Sequence, residues 1–228
     1  MSLKKRLFFR VSHALATLSP NFFGLTEPYH EIKTDFTLPG GAKVFLGAML
    51  LDAPKGLYHR YDYQSICARE HIGLVVRTLE ALERETHLWG GVKAANEKQY
   101  EAIDVDVINV SIRDFIAHFK HTEADFVSKF FQAMEAIYAH QAAGKNVYFH
   151  CKAGKNRSFK ALTTYLVYVQ CHDALKAKTV TIEQLKATIH ETCKHVHIHR
   201  PQIIYKTPRQ QSDHEAFVLA CFEAYLEK

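Results

Sequence analysis

His150, Cys151, Gly154, Arg157 and Ser158 fall within one short run, HCKAGKNRS. A cysteine is a nucleophile only as its thiolate, which nearby cations and backbone amides favour. The interval from Cys151 to Arg157 suits a loop that curls around one phosphate, with the amides of Lys152, Ala153, Gly154, Lys155 and Asn156 turned inward. Gly154 permits the tight curl, and Arg157 offers a planar fork that matches two phosphoryl oxygens. In-line attack by the Cys151 sulfur on a phosphate monoester would give a phosphocysteine intermediate. Ser158 could donate to the sulfur as it leaves in the second step, and His150 could brace the loop through a hydrogen bond. The chemistry calls for no metal and no cofactor. The plain alternative makes Cys151 a small buried hydrophobe, the commonest fate of a free cysteine. The joint occurrence of these residue types at this spacing weighs against it.

Such a loop needs a strand before it and a helix after it. NVYFH (146–150) reads as a short buried strand, and an apolar-periodic helix runs from Ser158 to about Cys171, so the loop sits at a helix N-terminus, where free amides and the dipole favour anions. Upstream, 42–50 reads as a strand after the LPGG turn. A short helix is expected at 63–70, a buried strand at 72–79, a loop at WGG (89–91), a short helix near 94–100 and a strand at 102–110. A helix begins near Thr122, with Thr122 and Asp125 as a near capping box and Phe126, Phe130, Ala133 or Met134, Ile137 and Tyr138 on one face, and Gly144 closes it. Thr181 with Gln184 forms a capping box, with Val180 and Leu185 as its hydrophobic staple, and Ser212 with Glu215 is expected to cap a last helix. Strands alternating with helices imply an α/β fold with a largely parallel sheet.

HCKAGKNRS resembles the signature of the cysteine-dependent protein tyrosine and dual-specificity phosphatase superfamily. CKAGK is similar to its lipid-directed branches, the phosphatase and tensin homologue group and, more closely, the mitochondrial phosphatidylglycerophosphate phosphatase group. The likeness runs from about Gly41 to the C-terminus: VFLGAML resembles the early strand of the family, VSIRD its acid loop, and HRPQI a segment after the signature. It implies a dual-specificity-phosphatase-like three-layer sandwich, a central mostly parallel sheet flanked by helices, with residues 31–228 as the catalytic domain. It also implies an acid that protonates the departing oxygen and later deprotonates water. The acid-loop match gives Asp114. Asp104 and Asp106 are the alternatives, placed within the preceding strand, while Asp125 is better explained as a helix cap. From the residues alone Lys152 and Lys155 belong on a solvated surface; the resemblance implies instead that they face the pocket and recognise further phosphates. The expected substrate is a phospholipid, phosphatidylglycerophosphate or a phosphoinositide. A phosphoprotein substrate is the alternative, and an inactive module that binds a phosphorylated ligand is the reading from another class. A rhodanese-like sulfur-transfer loop holds fewer residues between its cysteine and arginine. Gln210 and Gln211 fall where some relatives keep a water-positioning glutamine.

The 228 residues suit one sizeable core, and 47% hydrophobic with 23% charged residues is ordinary for a globular chain. The net charge of +5 favours an anionic partner without specifying it, and nothing points to nucleic acid. Residues 1–30 form a separate N-terminal segment in this reading. Within it, 3–18 carry Leu3, Leu7, Val11, Leu15 and Leu18 along one helical stripe, with Lys4, Lys5, Arg6 and Arg10 elsewhere. This basic amphipathic helix suits peripheral association with an anionic membrane, a mitochondrial presequence, or packing on its own domain. Five cysteines without a CxxC pair imply neither a disulfide framework nor a zinc ribbon, so the expected setting is an intracellular reducing compartment, cytoplasmic, membrane-peripheral or mitochondrial. HETCKHVHIHRP (190–201) looks metal-like but fails HExxH at Lys194. His195, His197 and His199 would share one side if the segment were extended, and they are expected to face solvent without a metal.

Overall fold

The computed structural model describes residues 27–55, 59–85, 92–112 and 124–227. The amphipathic stretch 3–18, WGG, Thr122 and Asp114 lie outside the described residues.

Among the described residues five strands form one sheet: β1 (Tyr29–Glu31), β2 (Val44–Gly47), β3 (Ile72–Arg77), β4 (Asp106–Asn109) and β5 (Asn146–His150), in the order β1-β2-β5-β3-β4. β2, β5, β3 and β4 run parallel, and β1 pairs antiparallel on the β2 edge. The sheet begins at Tyr29. Alternate side chains of the central strands enter two different cores. Val44, Leu46, Leu74, Val76, Val147 and Phe149 face one way, and Phe45, Val75 and Tyr148 face the other. A strand covered on both faces must be apolar throughout, which is why these runs show no polar alternation.

The first face is covered by α4 (Ala124–Ala142), α5 (Arg157–Lys176), α6 (Ile182–His199) and α7 (Pro208–Leu226). The second is covered by α1 (Tyr63–Arg69) and, through Tyr100, by α3 (Glu97–Glu101). A short helix α2 (Ala81–Glu85) follows β3. This is the expected three-layer α/β sandwich.

Local signals explain most boundaries. Asp62 caps α1 through the Ser65 amide, and Asn96 with Gln99 forms a capping box at α3. Thr181 and Gln184 box the start of α6 as expected. Gly144, at φ +81, ends the turn that follows α4. Two expectations fail. The last helix begins at Pro208 behind a Thr207/Gln210 capping box, one turn before Ser212. Proline at N1 sets a helical φ without losing a needed donor; Glu215 instead takes hydrogen bonds from Tyr205 and His190. The strand expected at 102–110 is only four residues long, because Asp104 at φ +56 turns the chain between α3 and β4. The histidine-rich segment is helical, with Leu185, Ile189, Cys193 and Val196 buried along one face at helical spacing.

Candidate active site

β5 ends at His150 and α5 begins at Arg157, and the six residues between them form a loop at the C-terminal edge of the sheet. Its outer side is tied down carbonyl by carbonyl. The Thr78 amide and hydroxyl both donate to the His150 carbonyl, at 2.9 and 3.0 Å. The Met49 amide donates to Lys152 O at 3.3 Å, and the Ile204 amide to Lys155 O at 2.9 Å. Arg200 Nε donates to Gly154 O at 2.9 Å. With these carbonyls drawn outward, amides turn inward: Gly154 N–H donates to Cys151 Sγ at 3.2 Å, and the Ser158 hydroxyl donates to the same sulfur at 3.3 Å. Gly154 has φ +66, and a Cβ there would lie 2.2 Å from the Gly47 carbonyl oxygen, so the curl demands glycine.

Burial pushes the Cys151 thiol up, but the Arg157 guanidinium, the Ser158 hydroxyl and the amides of Ser158 and Lys155 outweigh it and hold the thiol below its usual range. Arg157 is itself gripped. Its Nη1 and Nη2 donate to the two carboxylate oxygens of Glu83 in α2, the second at 2.8 Å, and Nη1 also reaches Thr78 O at 3.3 Å. The Glu80 amide donates to Glu83 at 3.0 Å. Burial raises the Glu83 pKa, and the hydrogen bonds and charge of Arg157 more than reverse that, leaving a carboxylate held below its usual range. Such a two-pronged pair fixes the plane of the guanidinium and not merely its charge.

His150 is pushed down to about 3, chiefly by burial and then by the charge of Arg77, so it is a neutral ring. Its Nδ1 lies 3.3 Å from the Cys151 carbonyl oxygen. Lys152 is only 9% exposed and Lys155 half-buried, so neither is the solvated surface lysine of the residue-only reading. The Lys152 charge reaches Glu83. Burial, then Arg200 and Lys206, hold the Lys155 ammonium below the usual lysine range. Ala153 and Asn156 are partly exposed, and Asn156 occupies the N-cap of α5 without a side-chain capping bond.

Two of the other carboxylates, Asp106 and Asp125, pair with cations of their own. Asp106 pairs with Lys145 at 2.5 Å and His140 at 3.4 Å, and Asp125, in the first turn of α4, pairs with Lys129 one turn on. Asp104 lies in the turn before β4. β4 delivers the chain to the same edge of the sheet as the cysteine loop, where the Val110 amide donates to Arg77 O and the Ser111 hydroxyl to Leu79 O. Gln210 and Gln211 serve the start of α7: Gln210 Oε1 accepts from the Lys206 and Thr207 amides, and Gln211 Nε2 donates to Tyr205 O. Among the described residues no group of three or more His, Cys, Asp or Glu side chains is placed to hold a metal ion.

Glu83 and Arg200 are the two site residues that reading the sequence missed. Glu83 sits in ALERE, which looks like an exposed charged turn, and Arg200 sits in a histidine-rich run; neither carries a local signal of burial.

No family model matches the chain, and no curated protein matches it. Solved structures do. The crystal structure of PTPMT1 in complex with PI(5)P matches with a TM-score of 0.55 and 19% sequence identity, over 84% of this chain and 94% of that one. A crystal structure of PTPMT1 alone matches with a TM-score of 0.53 and 19% identity, over 88% of this chain and 99% of that one. The chain therefore has the fold of PTPMT1, a three-layer α/β sandwich of the dual-specificity-phosphatase type.

Proposed function

We propose that the protein is a metal-independent, cysteine-dependent phosphatase acting on phosphate monoesters, with 31–228 as its catalytic domain. The observation that carries this reading is the Cys151 sulfur held by the Gly154 amide and the Ser158 hydroxyl beside the Arg157 charge. The thiolate attacks phosphorus in line: the S–P bond forms as the ester P–O bond breaks, and Asp114 protonates the departing oxygen. Asp114 then takes a proton from water, which attacks phosphorus and breaks the P–S bond. Ser158 stabilises the sulfur anion as it is released, and the loop amides from Lys152 to Asn156 cradle the phosphoryl oxygens together with Arg157.

The substrate class we favour is a phospholipid, phosphatidylglycerophosphate or a phosphoinositide. PTPMT1, whose fold the chain shares, was solved with PI(5)P. Lys152, buried, and Lys155, half-buried, both in the loop itself, suit a headgroup bearing more than one phosphate. No helix among the described residues is long and apolar enough to cross a membrane, and residues 3–18 would provide peripheral contact with an anionic surface.

Cys151→Ser should abolish hydrolysis of p-nitrophenyl phosphate while retaining tungstate binding; turnover by this variant would refute the nucleophile. A panel of phosphatidylglycerophosphate, phosphoinositides and phosphotyrosine peptides then separates substrate classes. Highest kcat/KM on a lipid supports the reading, and highest kcat/KM on peptides overturns its lipid part.

A further inference from the structure

Arg200 heads the fully buried side chains at 0% exposure, and among the described residues no carboxylate pairs with it. Its bonds go to neutral groups. Nε donates to Gly154 O at 2.9 Å, Nη1 meets His30 Nδ1 at 2.8 Å, and Nη2 donates to Pro28 O at 3.3 Å. A guanidinium stays protonated, so this is a buried cation in want of an anion, an arrangement that is costly unless something answers the charge. Burial works against that charge, and the groups that favour it are Tyr148, Cys151 and Tyr61. Burial pushes both tyrosine hydroxyls above their usual range, so neither is an anion at neutral pH. The sulfur of Cys151 is the one remaining counter-charge among these three groups.

Arg200 also acts through geometry. It draws the Gly154 carbonyl outward while the amide of the same residue points at Cys151 Sγ. It ties that residue to Pro28 and His30, at the edge of the sheet remote in sequence from the loop. We infer that Arg200 is a positioning residue for the nucleophile: it orients Gly154 so that an amide meets the sulfur, and its otherwise unpaired buried charge favours the sulfur anion. The inference rests on Cys151 being the reactive group of the proposed phosphatase.

The test compares the parent protein with Arg200→Met and Arg200→Lys, using Cys151→Ser as the background control. The pH dependence of iodoacetamide alkylation, read on the Cys151 peptide by mass spectrometry, gives the thiolate midpoint without requiring turnover. Arg200→Met should raise that midpoint by about one pH unit and lower kcat/KM for p-nitrophenyl phosphate about tenfold or more. Arg200→Lys should keep the midpoint close to the parent value yet still lose kcat/KM, because one ammonium cannot reproduce the fork to Gly154 and Pro28. An unchanged midpoint in an Arg200→Met protein that still melts cooperatively overturns the inference. If Arg200→Met does not fold, Arg200→Lys decides, and unchanged kcat/KM there overturns it. A parent that hydrolyses no ester, but whose midpoint moves in Arg200→Met, would sink the phosphatase reading and leave the Arg200 inference standing.

Discussion

Removing a thiol from water works against its ionisation, and Cys151 is only 4% exposed. What turns the balance is the Arg157 charge together with the amide and hydroxyl donors aimed at the sulfur. Arg157 is held in turn by Glu83. Glu83→Gln keeps the shape and removes the counter-charge, so kcat/KM should fall by about ten- to a hundredfold, and stability by about 3 kcal/mol, as for breaking a buried ion pair. Steady-state kinetics and urea melts check both. The sign with pH follows from the depressed Glu83 pKa: its contribution to stability is present above the unfolded carboxylate value of about 4.3 and fades as pH falls through the lower folded value. The stability gap between parent and Glu83→Gln should therefore narrow in that acid window. Gly154→Ala should lose most turnover, since its Cβ would press on the Gly47 carbonyl and the loop must open; wild-type kcat/KM in this variant would contradict the inward-amide geometry.

At the scale of elements, the strand β5, the loop and the helix α5 were legible because the apolar run, the glycine and the helical period agree there. Signals failed where they competed. In α6 the alternating His195, His197 and His199 read like an extended segment, yet the period-3.6 burial of Leu185, Ile189 and Val196 wins. At α7 the Ser212/Glu215 pair imitates a capping box, yet Thr207 and Pro208 start the helix first. The capping box at α6 is a structural device, with Thr181 accepting from the Gln184 amide at 3.2 Å. Thr181→Ala should cost about 1 kcal/mol of stability and leave kcat/KM unchanged. Thermal melts with parallel kinetics decide this, and a loss of activity without a loss of stability would place this cap in the site.

At the scale of the whole molecule, the contacts that complete the site span distances in sequence that no local pattern encodes. Arg157 and Glu83 are 74 residues apart, and Arg200 and Gly154 are 46 apart. The folded sandwich brings them together. The same burial leaves two neutral histidines in the core. His150 is pushed down to about 3 by burial and then Arg77, and His214, stacked on Phe159 with ring centroids 3.7 Å apart, lies well below the usual histidine range, again chiefly through burial and then Lys160. Both pKa values are lowered on folding, so the unfolded chain binds more protons. Stability is complete above the unfolded value of about 6.5 and declines on acidification by about 1.4 kcal/mol per pH unit for each ring. Melting temperature should fall between pH 6.5 and pH 5, a range above most carboxylate titration. His214→Asn should reduce the slope there, leaving the part carried by His150 and by the less buried His30, His197 and His199, which are also held below the usual histidine range, and an unchanged slope would show that His214 is not buried neutral.

The central claim is that Cys151 carries the phosphoryl group during turnover. Its most direct test is acid quenching during rapid turnover of a phosphate monoester, followed by peptide mapping. The account predicts a phosphorylated peptide modified at Cys151 that disappears in Cys151→Ser; turnover with no phosphoryl-enzyme, or with the label on another residue, would contradict it.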